Sequence, residues 1–152
     1  MPTPAAPEPP VARLMARGVC RALAALGYAS LVEFPLANGR RADILALAGW
    51  GDLAIVEIKT SPADFRADRK WPSYLDFADR FYFAVPPDFP TALIPAECGL
   101  IAADAFAAAI LRTGGARPLA AARRRALILR FAQTAAARLQ RVLDPESAAG
   151  FG

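Results

Sequence analysis

The chain contains no histidine in its 152 residues. This absence excludes Ser-His and Cys-His nucleophile pairs, histidine general bases and HExxH zinc sites. Any catalysis must therefore rest on carboxylates, lysine, tyrosine, hydroxyl groups or metal-bound water. Cysteine is scarce as well, because Cys20 and Cys98 form no CxxC pair and are too few for a disulfide framework. We therefore predict reduced thiols in a cytosolic protein.

Long apolar runs are also missing. No uninterrupted run reaches the roughly 18–20 residues that are needed to cross a bilayer. The first ten residues, MPTPAAPEPP, contain five prolines and lack the basic and apolar regions of a secretory signal. We predict a disordered proline-rich arm over 1–10, a frayed tail over 144–152, and a soluble, cytoplasmic protein with no membrane partner.

What the chain does contain is a large apolar share and a modest basic excess. Apolar residues make up 55% and charged residues 21% of the chain. At this length, these values favour one domain with a single core, which we place at 11–143. Eighteen basic and fourteen acidic side chains give a net charge of +4 and a pI of about 9.6. The excess suits a polyanionic partner such as nucleic acid, but many proteins without such a partner share it.

The order of helical and strand-like segments predicts a mixed α/β fold. A helix is expected over 11–27, where apolar residues recur at helical spacing. Arg13, Arg17 and Arg21 are spaced four apart and form a basic ridge that either faces solvent or contacts phosphate. Further along we predict strands at 30–34, 42–48, 53–59, 80–85 and 99–104, a capped helix from 61 to about 71 that restarts at 72 and ends at 77, an ambiguous segment at 105–112, and a long helix at 119–143.

Charged residues stand at the ends of two neighbouring strands of this prediction. Asp43 begins the second strand, and Glu57 and Lys59 end the third on one face. If the strands pair antiparallel, Asp43 lies opposite residues 57–59. The simpler interpretation is a strand end that reaches solvent. The chemical interpretation is a site for Mg²⁺ or Mn²⁺, with the Ile58 carbonyl as a further ligand and Lys59 orienting water or offsetting charge at phosphorus.

These residues carry a resemblance to a known family. The spacing Asp43, thirteen residues, Glu57-Ile58-Lys59 resembles the D…(D/E)xK core of the PD-(D/E)xK nuclease superfamily. The strings NGRRADILAL, VEIKTSPADFRADRKWPSY and DRFYFAVPPDFP resemble the MmcB-like DNA-repair family. The resemblance implies a restriction-endonuclease-like mixed central sheet flanked by helices, action on DNA, and a role in repair alongside other repair proteins.

The resemblance also implies roles for individual residues. Asp43 and Glu57 would bind the metal, and Lys59 would be the catalytic lysine. Some relatives carry a Q-x-x-x-Y motif on the next helix. Tyr74 keeps its tyrosine, while Lys70 replaces the glutamine and could reach a phosphate; ordinary helix packing is the alternative. Apart from the resemblance, the basic side chains predict a DNA-binding set that Tyr74 would join, with phosphate contacts from Arg13, Arg17, Arg21, Arg40, Arg41 and Lys70.

One feature departs from the family pattern. Many relatives place an extra acid on the first helix, yet residues 11–27 contain none. Either Glu33 replaces it as a metal ligand or the site has lost activity. A two-residue Asn38-Gly39 turn would put Glu33 on the face away from Asp43, whereas a three-residue loop, 37–39, would put it directly across from Asp43. We predict the three-residue loop.

Two functions remain open at this point. The first is a metal-dependent DNA phosphodiester hydrolase, that is, a nuclease acting in DNA repair. The second is a DNA-binding or adaptor module of the same fold with little or no turnover.

Overall fold

The structure is a computed structural model, and it describes residues 10–146. Of the predicted arm over 1–10 only residue 10 is among these residues, and of the predicted tail over 144–152 only 144–146 are; the rest of both segments lies outside them. Within the described part of the chain, no helix is long and apolar enough to cross a membrane. The elements in chain order are α1 (Val11–Ala25), β1 (Tyr28–Pro35), β2 (Arg41–Ala48), β3 (Leu53–Ile58), α2 (Pro62–Ala67), a 3₁₀ helix (Trp71–Phe77), β4 (Arg80–Val85), a short 3₁₀ turn (Thr91–Leu93), β5 (Gly99–Ala103), β6 (Ala108–Arg112) and α3 (Ala121–Leu143).

The strands form one open, mixed sheet in the order β1-β2-β3-β4-β5-β6. β2 pairs antiparallel with both β1 and β3, β4 pairs parallel with β3 and with β5, and β6 returns antiparallel to β5. All six residues of β3 are buried, as expected for a central strand that is covered on both faces. The predicted single-domain α/β architecture is confirmed.

Helix α1 covers one face of the sheet. Its buried side chains include Met15, Val19 and Leu23, which pack against Ile44 and Val56 of the central strands. Burying a large aliphatic side chain stabilises the folded state by about 1.5–3 kcal/mol. This apolar face therefore holds α1 beside the carboxyl end of β3.

Gly18 allows α1 to approach the turn between β5 and β6 closely. A Cβ atom on Gly18 would stand 2.3 Å from the Asp104 carbonyl oxygen and 2.9 Å from that of Ala107. Arg21, one turn further on, donates a hydrogen bond to the Phe106 carbonyl oxygen at 3.2 Å. The turn between β5 and β6 therefore seats directly on the helix.

The opposite face of the sheet packs against the 3₁₀ helix and α3. Its aromatic core includes Trp71 stacked on Phe81 at 5.8 Å and Phe81 edge-on to Phe83 at 5.0 Å between ring centroids. Leu127 and Phe131 are the buried residues of α3. They anchor a helix whose remaining surface is largely exposed.

Most predicted elements are confirmed, but several boundaries differ and one ambiguity is resolved. The first helix ends at Ala25 rather than 27, and the first strand spans Tyr28–Pro35 rather than 30–34. The helix after Ser61 ends at Ala67 rather than near Trp71, because Asp68 takes an extended backbone conformation. The segment after it is a 3₁₀ helix rather than a continuation of the α-helix. The ambiguous segment at 105–112 contains β6, and the long helix begins at Ala121 rather than 119.

Candidate active site

The hairpin between β1 and β2 has the predicted three-residue loop. Leu36 donates its N–H to the Arg40 carbonyl oxygen at 2.8 Å, and Gly39 donates to the Leu36 carbonyl oxygen at 3.1 Å. Gly39 has a φ of +82°, which glycine adopts without steric cost. Phe34 pairs with Ala42, and Val32 pairs with Ile44. Glu33 and Asp43 are therefore at corresponding positions of the two strands.

The alternation of side chains shifts at this position in both strands. Leu31 and Phe34 are three residues apart, yet both pack into the aromatic core, and so do Ala42 and Leu45 of β2. Glu33 itself has a left-handed backbone with a φ of +48°, which is uncommon for a residue other than glycine. The sheet is therefore irregular where the candidate site begins, which is where such strain commonly occurs.

Asp43 and Glu57 meet where β2 and β3 separate. The regular pairing of these strands ends at Ile44 and Val56, and side chains replace the next backbone bonds. The Asp43 N–H donates to Glu57 Oε1 at 3.0 Å, and the Ile58 N–H donates to Asp43 Oδ2 at 2.8 Å. The predicted approach of these two carboxylates across neighbouring strands is present in the structure.

The two carboxylates share a buried environment that disfavours their charges. Glu57 is 5% exposed. Its burial, together with the nearby charge of Asp43, raises the pKa of Glu57 to about 9. Burial also raises the pKa of Asp43. Because both shifts favour the protonated form, the pair retains a proton at neutral pH unless a cation is bound.

Lys59 is on the same face but is engaged by another acid. Its ammonium group lies 2.7 Å from Asp68 Oδ2, and both side chains are largely buried. Burial alone would raise the pKa of Asp68, but hydrogen bonds from Lys59, Lys70 and Trp71 hold it below its usual value. Lys59 lowers the pKa of Asp43 and of Glu57, yet both remain raised. The positive charge of Lys59 is therefore shared between Asp68 and the Asp43–Glu57 pair, and it only partly compensates the negative charge of that pair.

Asp68 is a component of this site that the sequence analysis missed. The predicted helix placed it in a helical interior, where its side chain would have had no reason to turn toward β3. In the structure it ends α2, and its Oδ1 accepts the N–H groups of Lys70 and Trp71. The sequence offered one signal: Asp68 is an acid that follows Lys59 by only a short stretch of chain, so the two side chains could pair.

Tyr74 lies in the core behind the carboxylates. It is 7% exposed, its ring stacks on Phe81, and its hydroxyl donates to the Arg41 carbonyl oxygen at 3.0 Å. Burial and the negative charges of Glu57 and Asp43 raise the pKa of Tyr74 to about 12. This geometry favours the packing alternative over direct contact with DNA.

A cavity of about 550 Å³ opens beside the carboxylates, between α1 and the ends of β1, β2 and β3. Asp43, Ile58 and Glu33 contribute to its walls, and Arg13 and Arg17 do so from α1. The exposed basic ridge that was predicted on α1 therefore reaches the site through these two arginines. Arg21 instead bonds to the turn between β5 and β6.

The other predicted phosphate contacts lie around the same end of the sheet. Arg41 and Lys70 are exposed. Arg40 is partly exposed and close enough to Tyr74 for its charge to counter the raised pKa of the hydroxyl. Whether these cations bind DNA stays a prediction.

Glu33 occupies the cavity wall without completing a cluster of three acids. Within residues 10–146, no three His, Cys, Asp or Glu side chains are close enough together to hold a metal ion. Its backbone is held from α3, because Arg138 donates to the carbonyl oxygens of Val32 and Glu33 at 2.6 and 2.8 Å. A ligand role for Glu33 therefore stays a prediction.

The donor set at this site fits a hard divalent cation. Asp43 and Glu57 supply two carboxylates, and their unbalanced negative charge would be neutralised by such an ion. Mg²⁺ commonly uses one or two carboxylates and fills its remaining positions with water and phosphate oxygens. Two acids without a third are thus sufficient for Mg²⁺ or Mn²⁺.

The fold and the site together define a single α/β domain whose open sheet carries a carboxylate pair, the buried Glu57 and the partly buried Asp43, where β2 and β3 separate. The chain matches the family of DNA repair proteins described as MmcB-like over residues 2–146, and it belongs to that family. This membership indicates a role in DNA repair. The chain is also similar to the solved structure of the SPO1766 protein of unknown function from Silicibacter pomeroyi, with 46% identity, a TM-score of 0.89, and coverage of 95% of this chain and 97% of that chain. No curated protein matches the chain.

Proposed function

We propose that this protein is a metal-dependent DNA phosphodiester hydrolase that acts in DNA repair. The observation that carries the proposal is the pair formed by the buried Glu57 and the partly buried Asp43, whose pKa values are both raised and whose neighbouring lysine is paired with Asp68. A structural site would be expected to balance its charges, whereas perturbed carboxyl pKa values beside a cavity are characteristic of catalytic sites. Membership in a DNA repair family supports DNA as the substrate.

Each residue of the site has a task in this proposal. Asp43 and Glu57 would hold Mg²⁺ or Mn²⁺, with the Ile58 carbonyl as a further oxygen ligand. The bound ion would polarise the scissile phosphate and lower the pKa of water. Lys59 would orient the attacking water or offset the charge that develops on the phosphate oxygens. Asp68 would hold the Lys59 ammonium in place through their ion pair.

The basic groups at the cavity would bind the DNA backbone. Arg13 and Arg17 stand in the cavity wall, and Arg40, Arg41 and Lys70 lie nearby in sequence or space. Each phosphate contact should contribute about −0.9 to the slope of log affinity against log salt on duplex DNA. Measured affinity that does not change with salt, or no binding at low salt, would contradict DNA binding through these groups.

A cleavage assay tests the hydrolase proposal. Wild-type protein should cleave DNA only with Mg²⁺ or Mn²⁺, and Glu57→Gln, which keeps the side-chain volume, should reduce the rate at least about 100-fold. Glu97→Gln removes an exposed acid from the loop before β5 and should leave the rate unchanged. Equal rates in Glu57→Gln and wild type would assign the activity to another site.

The proposed ligand role of Glu33 has a separate test. Glu33→Gln should weaken cleavage without altering the fold, and full activity in this variant would end that role.

A DNA-binding module with little turnover is the second candidate. Two observations favour it: α1 has no acid over 11–25, and no third carboxylate joins Asp43 and Glu57 within residues 10–146. Salt-dependent DNA binding without metal-dependent cleavage of any branched, nicked, duplex or single-stranded DNA would select this candidate.

A further inference from the structure

The cavity beside the carboxylates has an apolar wall built from small residues. Ala12, Ala16 and Cys20 are spaced four apart, so they lie on one face of α1 and form that wall. Val32 and Ile58 face them from β1 and β3. Because the helix presents two alanines and a cysteine here, it leaves a space of about 550 Å³ that larger side chains would fill. This volume is within the roughly 300–1,000 Å³ that is typical of small-ligand sites.

Charged groups stand at defined places around this apolar space. Arg13 and Arg17 are exposed in the wall, and neither guanidinium makes a hydrogen bond or ion pair with another described residue. Two acids also line the cavity: Asp43, where the carboxylate pair is, and Glu33 from β1. The cavity therefore offers an apolar chamber, two cations for an anionic group, and direct access to the proposed reaction site.

A nucleotide has the matching chemistry, since it joins a flat base, whose two faces pack against apolar side chains, to a phosphate. We propose that the cavity binds the base of one unpaired nucleotide next to the scissile phosphate, so that the preferred substrate is single-stranded, flapped or gapped DNA. This inference rests on the proposed hydrolase function and names its substrate class. A paired base would have to leave the helical stack to enter, which costs a few kcal/mol, whereas an unpaired base avoids most of that cost.

Substitutions that fill the cavity test this inference by binding rather than by cleavage. Ala12 is partly exposed, so Ala12→Phe can extend its ring into the cavity without replacing a core residue. Val32→Phe fills the same space from the opposite wall, where Val32 is 41% exposed. Val11→Phe is the matched control, because Val11 is on α1, 60% exposed, and outside the cavity lining.

The probe is an oligonucleotide with one 2-aminopurine, used single-stranded and as a matched duplex in EDTA. With wild type, the single strand should bind more tightly and its fluorescence should rise, because the base leaves its stacked neighbours. Ala12→Phe and Val32→Phe should each weaken single-strand binding about tenfold while duplex affinity changes less than about twofold. Val11→Phe should match wild type in both.

The outcomes separate this inference from the proposed function. Unchanged single-strand binding in both filled variants, or equal losses for single strand and duplex, would overturn the base-binding cavity, even if metal-dependent cleavage is present. Selective loss of single-strand binding would support the cavity even if wild type cleaves no DNA, and the hydrolase proposal alone would then fail.

Discussion

The two ends of β3 each hold a buried acid, and they treat its charge in opposite ways. At the amino end, Asp79 accepts N–H groups from Leu53 at 2.8 Å and Leu119 at 2.9 Å, and both of its oxygens accept from the Arg124 guanidinium. Arg124 also donates to the Gly51 carbonyl oxygen at 2.9 Å. Burial alone would raise the pKa of Asp79, but these donors hold it below its usual value.

The carboxyl end of the same strand has the reverse arrangement. Asp43 and Glu57 face each other, and burial raises the pKa of both. Lys59, the cation beside them, is paired with Asp68. Asp79 and Glu57 are both buried, so burial of an acid does not by itself indicate a reactive site. The two ends differ in whether the protein itself supplies the compensating positive charge. Arg124 does so for Asp79, whereas the Glu57 end would need a bound cation.

The largest effect should come from removing Asp79. Asp79→Ala leaves Arg124 and two backbone N–H groups without their acceptor, and should lower the free energy of unfolding by about 3–5 kcal/mol in urea denaturation. Asp76→Ala is the control, because its pair with Arg117 is exposed and should change stability by less than about 1 kcal/mol. Equal effects of the two substitutions would remove the structural role assigned to Asp79.

Substitution at the other end should have the opposite sign. Glu57→Gln keeps an oxygen that can accept the Asp43 N–H but removes a carboxyl group that must take up a proton when the chain folds at pH 8. In metal-free buffer at pH 8, it should raise the free energy of unfolding by on the order of 1–2 kcal/mol. Glu97→Gln, at an exposed position, should not stabilise the protein. A destabilised Glu57→Gln variant would show that the charge is already balanced by the protein.

The pH dependence of stability should separate the two ends. Folding raises the pKa of Glu57 from 4.5 to about 9, so the folded state binds the proton more tightly and stability falls as pH rises through this interval. Folding lowers the pKa of Asp79 from 3.8, so its stabilisation is present above that value and is lost as pH falls. Urea denaturation across pH should therefore give the greatest stability near pH 4, above the usual pKa of Asp79 and below that of Glu57. Glu57→Gln should reduce the loss of stability at higher pH (the alkaline decline) and leave the loss at lower pH unchanged. An unchanged alkaline decline in that variant would assign it to other groups.

The smallest effect concerns Asp68. Asp68→Asn frees the Lys59 ammonium to approach Asp43 and Glu57, so the lost buried ion pair is partly replaced and stability at pH 7 should fall by less than in Asp79→Ala. The extra positive charge near Glu57 should also make the alkaline decline smaller than in wild type. A decline as large as that of wild type would indicate that Lys59 stays where it is without Asp68.

Sequence patterns predicted the parts of the fold that depend on local chemistry. The three-residue loop at 37–39 followed from Asn38-Gly39, and Ser61 caps α2 as expected, with its Oγ accepting the Asp64 N–H. The facing of Asp43 and Glu57 followed from antiparallel pairing and the alternation of strand side chains. These features need only short-range geometry, so one sequence was sufficient.

The features that were missed depend on contacts between distant segments. Arg124 and Asp79 are 45 residues apart, and Arg138 reaches the Glu33 carbonyl oxygen across 105 residues. The left-handed backbone at Glu33 interrupts strand alternation, and no turn residue signals it. The early end of α2 at Ala67 reflects tertiary bonds of Asp68 that overrode helical periodicity.

Titration with Mn²⁺ in the absence of DNA, followed calorimetrically at pH 7.5, tests most directly whether the unbalanced end of β3 is a cation site. Wild-type protein should bind the ion and release protons on binding, because the metal displaces the proton that Asp43 and Glu57 retain. Asp43→Asn and Glu57→Gln should abolish this binding, while Asp76→Asn, at the exposed surface pair, should preserve it. No binding by wild type, or equal binding by Glu57→Gln and wild type, would contradict the central claim.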